Sequence, residues 1–468
     1  MSAPLPKLPA TPSRSMGLKL LLVCALALVM SIPALFVFML LGDRTHRAEQ
    51  VVAEVGGLLG GPQTFLGPVL AIPYTNPPAK AGDAAERGVL VVFPTEGHAD
   101  VASHSEVRQR SLFKVPVYQA DLKFKATFDL AGVAARAPEG ASLDWSRSEF
   151  LVGASDARGA QADVLFTAAG KPLDIAPAAT LSGANVSAAK DTTAAVTPDD
   201  NALRLFGASA AGIAAPDARF DATARLKFSG AERMAVLAFA KTTTVTAKGD
   251  WPHPSFDGGF LPATRTITDQ GFTANWSVPF IARGMPAQVD SHALSTLGQA
   301  ALGVSFVEPA NPYQSVARSL KYALMFVGLV FLAYFLFETT QKRRVHPAQY
   351  VLIGLTQVIF YLLLLSVAER IGFDLAFLAA AGATVGLISA YAGWVFESRR
   401  QGLIALSAFT LLYGLIYVLM RLEDLALLVG AFASFAAIAA VMYVTRRLDW
   451  YGAAAPADPA AFASKDPA

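Results

Sequence analysis

Leu18 to Leu41 reads LKLLLVCALALVMSIPALFVFMLL, a run in which Lys19 carries the sole charge. About 20 mostly apolar residues are enough to cross about 30 Å of hydrocarbon, so this run reads as a membrane span. It is too long for the apolar core of a cleaved signal peptide, and no Ala-x-Ala site closes it before Asp43. Leu21, Leu22 and Val23 also lack the small residue that lipoprotein processing needs just before a cysteine such as Cys24. The run is therefore expected to be a retained signal anchor, bent in its outer half by Pro33.

Five further apolar stretches follow near the other end of the chain. They run from about Leu320 to Phe337, Tyr350 to Ala368, Phe373 to Phe396, Gly402 to Met420 and Leu425 to Val444. The first of these is short, with Arg318 and Lys321 expected to snorkel at its outer end. Short loops rich in Lys and Arg mark the cytoplasmic side. Lys7, Arg14 and Lys19 precede or open the first span, Lys342 to Arg344 follow the second, Arg399 and Arg400 the fourth, and Arg446 and Arg447 the sixth. The alternate loops hold Glu369 with Arg370, and Arg421 with Glu423 and Asp424. Both ends are thus expected inside, with one large domain outside. The expected divisions are a cytoplasmic tail over 1–17, the anchor over 18–41, a periplasmic β-rich domain over 42–317, a five-helix transmembrane domain over 318–444 and a disordered cytoplasmic tail over 445–468.

Composition agrees with a mixture of spans and an ordinary soluble part. Of 468 residues 54% are hydrophobic and 16% charged, against about 25% charged in soluble domains. A net charge of +2 gives no reason to expect nucleic acid. A single cysteine, Cys24, excludes an internal disulfide and a cysteine metal cluster. No cofactor or metal is expected.

Within the outer region, Arg44 to Leu59 is expected to prolong the first helix until the glycines between Gly56 and Gly61 and then Pro62 stop it. Strands follow. Phe113 to Leu130 and Phe220 to Phe228 alternate apolar with polar, and Gly88 to Phe93 is a buried-type run. Many short strands with Gly, Pro and Asp turns point to a mainly antiparallel sandwich. One elongated domain or two small ones fit equally, with Ala176 to Asp200 as the linker in the second case.

Two clusters are candidates for binding. Asp156 and Arg158 sit two apart in Ser155 to Gly159, able to pair with each other or to hold a polar ligand together. Trp251 and His253 lie in Asp250 to Phe256, where Pro252 and Pro254 suggest a rigid non-helical loop. The plainer expectations are a tight turn for the first and an aromatic plug at the sandwich end for the second. The histidines have no metal spacing, and no Gly-x-Ser-x-Gly or phosphate loop is present. In the spans Thr356, Gln357, Thr384 and Ser389 are the polar exceptions, and Gly382 with Gly386 suggests a close helix approach.

Several stretches together carry a family resemblance. They are Gln63 to Pro68, Phe113 to Tyr118, Ser155 to Gly159, Trp251 to Phe256, Arg318 to Tyr322, His346 to Tyr350 and Met442 to Tyr451. In these the chain resembles the CreD family of bacterial inner-membrane proteins, linked to cell-envelope integrity, colicin tolerance and a stress-response regulon. The resemblance implies one span, a large periplasmic domain and a multi-span remainder. It supplies no catalytic residue. The expected role is a non-enzymatic one in envelope integrity or stress response, with the lipid bilayer and an envelope protein or lipid as partners. The alternatives are a subunit of a transporter or lipid exporter, and a periplasmic hydrolase that would require Asp156, Arg158 and His253 to converge.

Overall fold

The computed structural model describes residues 16–77, 85–110, 112–178, 203–308, 312–341, 345–421 and 426–446. Its helices are α1 (Met16–Val29), α2 (Ser31–Leu58), α3 (Phe280–Arg283), α4 (Pro312–Lys321), α5 (Ala323–Gln341), α6 (Pro347–Ile371), α7 (Phe373–Val395), α8 (Arg399–Arg421) and α9 (Ala426–Thr445). The first strands are β1 (Gln63–Asn76), β2 (Glu86–Val92), β3 (Glu96–Arg110), β4 (Phe113–Asp129), β5 (Ser142–Leu143), β6 (Glu149–Ala154), β7 (Leu165–Ala168), β8 (Lys171–Leu173) and β9 (Ala176–Pro177). The others are β10 (Arg204–Ser209), β11 (Arg219–Ala231), β12 (Arg233–Leu237), β13 (Thr242–Gly249), β14 (Pro254–Gly258), β15 (Thr264–Thr268), β16 (Gly271–Val278), β17 (Gln288–Asp290) and β18 (Ala301–Phe306). The chain divides into two compact units, residues 48–309 and residues 1–47 with 310–468.

The unit over 48–309 is one sandwich of two sheets. The first has the order β14-β18-β12-β1-β6-β10-β9, with β2, β5 and β17 joined beside β1 and β2. The second has the order β15-β16-β13-β3-β4-β11-β7-β8. In β1 the nearly unbroken apolar run is buried on both faces from Gln63 to Ile72, as a central strand covered on both sides should be. A register shift between Leu66 and Val69 lies at Gly67 and Pro68, where proline has no N–H for the ladder. In β4 the alternation is strict instead: Leu122, Phe124, Ala126 and Phe128 are buried, while Lys123, Lys125 and Thr127 are exposed.

The two inner faces meet through aromatic rings. Phe65 meets Phe228 edge-on at 5.4 Å, Phe124 meets Phe239 at 5.4 Å and Phe150 stacks on Phe166 at 5.4 Å. Phe239 is fully buried between two glycines, and a Cβ on Gly67 or Gly97 would stand 2.7 Å from its ring. All these residues share one hydrophobic core, which decides between one domain and two. The proposed linker lies mostly outside the described residues. Its first two residues form β9, which pairs with β10 beyond it, Pro177 opposite Phe206, so the chain leaves and re-enters the same sheet.

The sandwich is mainly antiparallel, with β1 parallel to β12 and β3 parallel to β13 as the exceptions among the described strands. Two expectations need correcting here. The segment after Trp251 is not all loop, because Pro254–Gly258 forms edge strand β14 against β18. Proline is tolerated there as the first residue of an edge strand. Gly382 and Gly386 face open space rather than a neighbouring helix, whereas a Cβ on Gly402 would lie 3.4 Å from the Gly393 Cα.

The other unit is helical. Among the described residues four helical segments are long and apolar enough to cross a membrane: 17–58, 347–371, 373–395 and 399–421. The α4 and α5 pair qualifies only jointly, with axes diverging by 54°, and the described part of α9 over 428–443 is shorter. The second expected span is therefore broken at Tyr322. The first is interrupted at Met30, three residues before Pro33, because Pro33 offers no N–H to the Val29 carbonyl. The Ser31 hydroxyl donates to the Leu28 carbonyl at 2.6 Å. The two end segments expected as disordered tails lie outside the described residues, apart from Met16, Gly17, Thr445 and Arg446.

Three carboxylates tie these helices together. Glu338, 5% exposed, accepts from the Lys19 ammonium, from the Val345 N–H at 2.7 Å and from the Tyr350 hydroxyl at 3.0 Å. Glu369 accepts from the Tyr313 hydroxyl at 3.1 Å and lies 4.0 Å from Arg44. Asp374 pairs with Arg421 and accepts from the Tyr417 hydroxyl at 3.0 Å. Glu369 and Arg421 are residues that the sequence places in the cation-poor loops. The Asp374 and Glu338 pairings join residues far apart in the chain.

Two measurements on detergent-solubilised protein check this packing. Phe239→Ala should cost about 3–5 kcal/mol by opening a cavity in a close-packed core. Thermal unfolding followed by tryptophan fluorescence reads that loss, and less than about 1 kcal/mol would contradict the packing. Lys19→Met should destabilise the protein more than the double variant Lys19→Met/Glu338→Leu, since the single change strands a buried carboxylate. Equal melting temperatures would refute the pairing.

Candidate functional site

The two clusters singled out in the sequence fall at one end of the sandwich. Asp156 caps a short 3-10 turn over Ala157–Gly159, accepting the Arg158 N–H at 2.8 Å. Its carboxylate also takes the Arg158 guanidinium, through Nε at 2.9 Å and Nη2 at 2.5 Å. Burial works against ionisation of Asp156, but the Arg158 side chain and N–H outweigh it and hold the carboxyl below its ordinary range. Arg158 itself is 69% exposed.

Beneath this turn lies a buried latch that joins two of the resembling motifs. The Gln63 carboxamide donates to the Gly60 and Asp156 carbonyls, both at 2.9 Å. It accepts from the Ser155 hydroxyl at 3.1 Å and the Asp156 N–H at 3.2 Å. The Ser229 hydroxyl reaches the Leu59 carbonyl at 2.9 Å, satisfying an acceptor at the end of α2. A side chain at Gly159 would collide with the Ser229 carbonyl. On the outer face of the second sheet, Val115, Val117 and Ala231 pack with Val52, Val55 and Leu59.

Trp251 is buried against Phe306 at 6.1 Å and donates its indole N–H to the Val307 carbonyl at 3.1 Å. Asp250 accepts from the Ser105 N–H at 2.8 Å and its hydroxyl, and lies 2.5 Å from His104. Its burial also works against ionisation, and these donors overcome it and depress the carboxyl. His253 is exposed. In the order β14-β18-β12-β1-β6, the strand after His253 and the strand before Asp156 are four places apart. At about 4.8 Å per strand that is about 19 Å. The structure therefore pairs Asp156 with Arg158 and keeps His253 away from both. A hydrolase built on these three does not assemble.

What the sequence reading missed lies between the clusters, on the outer face of the second sheet. A cavity of about 50 Å³ opens where Leu59 meets the sheet, lined by His104, Glu106, Arg108, Gln119, Gln161 and Ser229 among others. It has room for ordered water. Further along the same face is a groove of about 240 Å³ between Asp100, Ala102, Asp121, Lys123, Thr246 and Lys248. The register explains it. One cross-strand row reads Lys248, Ala102, Asp121, Lys227, and the next reads Thr246, Asp100, Lys123, Arg225. A third reads Thr244, His98, Lys125, Thr223. Ala102 is the small residue that leaves the trough. His98 bonds Thr244 at 2.8 Å and Asp100 at 3.1 Å. No ion pair joins Lys123, Lys125, Arg225, Lys227 or Lys248 to a carboxylate among the described residues, and no group of three or more His, Cys, Asp or Glu there is arranged to hold a metal.

A β-sandwich unit and a bundle with several membrane-length apolar helices define a membrane protein with a large sheet domain. The family model described as Inner membrane protein CreD matches residues 15–451, and the chain belongs to that family. It is 28% identical over 441 residues to the Inner membrane protein CreD of Escherichia coli (strain K12), covering 92% of each chain.

Two outcomes test the latch and the depressed carboxyls. Gln63→Leu removes four buried hydrogen bonds and should cost about 2–4 kcal/mol, whereas Arg158→Ala should cost under about 1 kcal/mol because that pair is solvated. Reversed magnitudes in thermal unfolding would contradict the assignment. Asp129, Asp156 and Asp250 are all held below the usual carboxyl value. Such groups stabilise the fold above about pH 4, the unfolded value, and the contribution is lost as pH falls through the folded values. Melting temperature should therefore drop steeply below about pH 4, and Asp250→Asn should flatten that drop. An unchanged slope in the variant would count against Asp250.

Proposed function

We propose that the chain is a non-enzymatic inner-membrane protein that crosses the bilayer six times with both ends in the cytoplasm. The sandwich then stands in the periplasm, and its role is to support cell-envelope integrity under stress by holding an envelope component. The Lys and Arg bias of the short loops supports the orientation. The observation that carries the binding reading is the open, polar outer face of the second sheet, with five cations that lack carboxylate partners among the described residues. Asp156, Arg158 and Trp251 shape the end of the domain in this account, and His253 offers an exposed ring at its edge.

A second reading, as a subunit of a transporter or lipid exporter, draws on one feature of the bundle. Gln357 and Tyr361 are buried one turn apart on α6, and Gln357 Oε1 and the Tyr361 hydroxyl have no hydrogen-bond partner among the described residues. Polar groups at mid-membrane are costly and tend to mark polar paths.

The test is detergent and dye permeability of a deletion strain, complemented by variants of equal membrane abundance. A leaky deletion strain that wild type rescues and Lys123→Glu/Arg225→Glu does not would support the envelope reading. Failure of Gln357→Leu alone would favour transport. A deletion strain indistinguishable from wild type under envelope stress would overturn the first reading.

A further inference from the structure

The groove on the second sheet has a composition that selects a class of ligand. Lys123 and Arg225 are directly opposite each other on neighbouring strands β4 and β11, where like charges repel. Lys125 is two residues along from Lys123, and Lys227 two along from Arg225, on the same exposed face. Side chains two apart on a strand are about 6.6 Å apart, and neighbouring strands are about 4.8 Å apart. Lys123 and Arg225 thus stand close enough for one phosphate group to bridge, with Lys125 one row to one side of them and Lys227 one row to the other. None of the four, nor Lys248, has a carboxylate partner among the described residues. A bound anion would relieve this repulsion, and ammonium and guanidinium groups are the usual donors to phosphate.

The same trough also carries groups that a bare anion site would not need. Asp100 and Asp121 lie in it, with the Thr246 hydroxyl, around the gap left by Ala102. Carboxylates repel phosphate but accept hydrogen bonds from neutral hydroxyls. The acceptors and the bridging cations are offset across the strands: in one row Thr246 on β13 and Asp100 on β3 precede Lys123 on β4 and Arg225 on β11, and Asp121 stands beside Lys227 in the next row. At about 240 Å³ the trough lies below the usual range for drug-sized ligands and suits one small polar unit.

We propose that this groove binds a phosphorylated saccharide unit, with the phosphate on Lys123, Arg225 and their neighbours and the sugar hydroxyls on Asp100, Asp121 and Thr246. This inference deepens the proposed function and rests on the same face being the one that works.

The test uses full-length protein in detergent micelles and isothermal titration with glucose 6-phosphate, glucose and inorganic phosphate. The sugar phosphate should bind at least tenfold more tightly than either of the other two, and more weakly as ionic strength rises. Lys123→Glu and Arg225→Glu should each weaken it tenfold or more. Asp121→Asn should weaken the sugar phosphate and leave inorganic phosphate unchanged. These side chains are exposed or half-exposed, and an unchanged melting curve confirms that each variant folds. No binding of glucose 6-phosphate, equal binding of inorganic phosphate, or binding indifferent to all three substitutions would overturn the proposal. If binding fails while the deletion strain is still leaky and rescued by wild type only, the ligand assignment falls and the envelope reading stands.

Discussion

The sandwich depends on a single strand with no solvent-facing side. From Gln63 to Ile72, β1 is buried on both faces. One face looks into the aromatic core shared with the second sheet. The other needs its own cover, and that requirement shapes the first sheet. The 3-10 segments at Trp145–Arg147 and Ser291–Ala300 pack beside β1, β2 and β12, with Leu297 fully buried. The Gln63 latch fixes where the strand begins, because its carboxamide binds the turn that starts β1 and the turn that ends β6. A buried amide whose four bonds are all made specifies register more sharply than apolar contact does.

Covering one sheet twice leaves the other half open. The outer face of the second sheet is apolar where Val115, Val117 and Ala231 meet the end of α2, and beyond that its outward rows are mostly Lys, Arg, Asp, His and Thr. A strand solvated on one face is free to vary that face without cost to packing. The outer rows are therefore where recognition can be built, while the latch, Trp251 and Phe239 hold the frame. In the helical unit the logic is reversed. There the surroundings are apolar, and the carboxylates at Glu338, Glu369 and Asp374 each have a cation and a hydroxyl to answer them. Paired this way, charge joins helices that apolar contact alone would let slide.

Much of the frame was legible from local pattern. The alternation in β4 and β11 and the two-sided run in β1 identify their strands, and Asp156 with Arg158 reads as a local pair because only two residues separate them. Edge strand β14 was hidden, since two prolines mark a loop unless the edge position is known. Lys19 reads as a topology signal in the sequence, and nothing near it there points to Glu338. The outer-face groove was invisible for the same reason. Lys123 and Arg225 are meaningless apart, and only the antiparallel register of β4 and β11 sets them opposite each other. The helix-packing glycines failed because spacing of four gives no direction: Gly382 and Gly386 point outward, and the close approach occurs at Gly393 and Gly402.

The proposed topology requires the outer face of the second sheet to be open to the extracytoplasmic side. The chain has one cysteine, Cys24, so a Cys24→Ser background allows a single reporter at Lys123→Cys. Labelling intact spheroplasts with a membrane-impermeant maleimide measures its exposure directly. The account predicts full labelling without permeabilisation, at the level reached after detergent lysis. Labelling that appears only after lysis would contradict it and place the groove on the other side of the membrane.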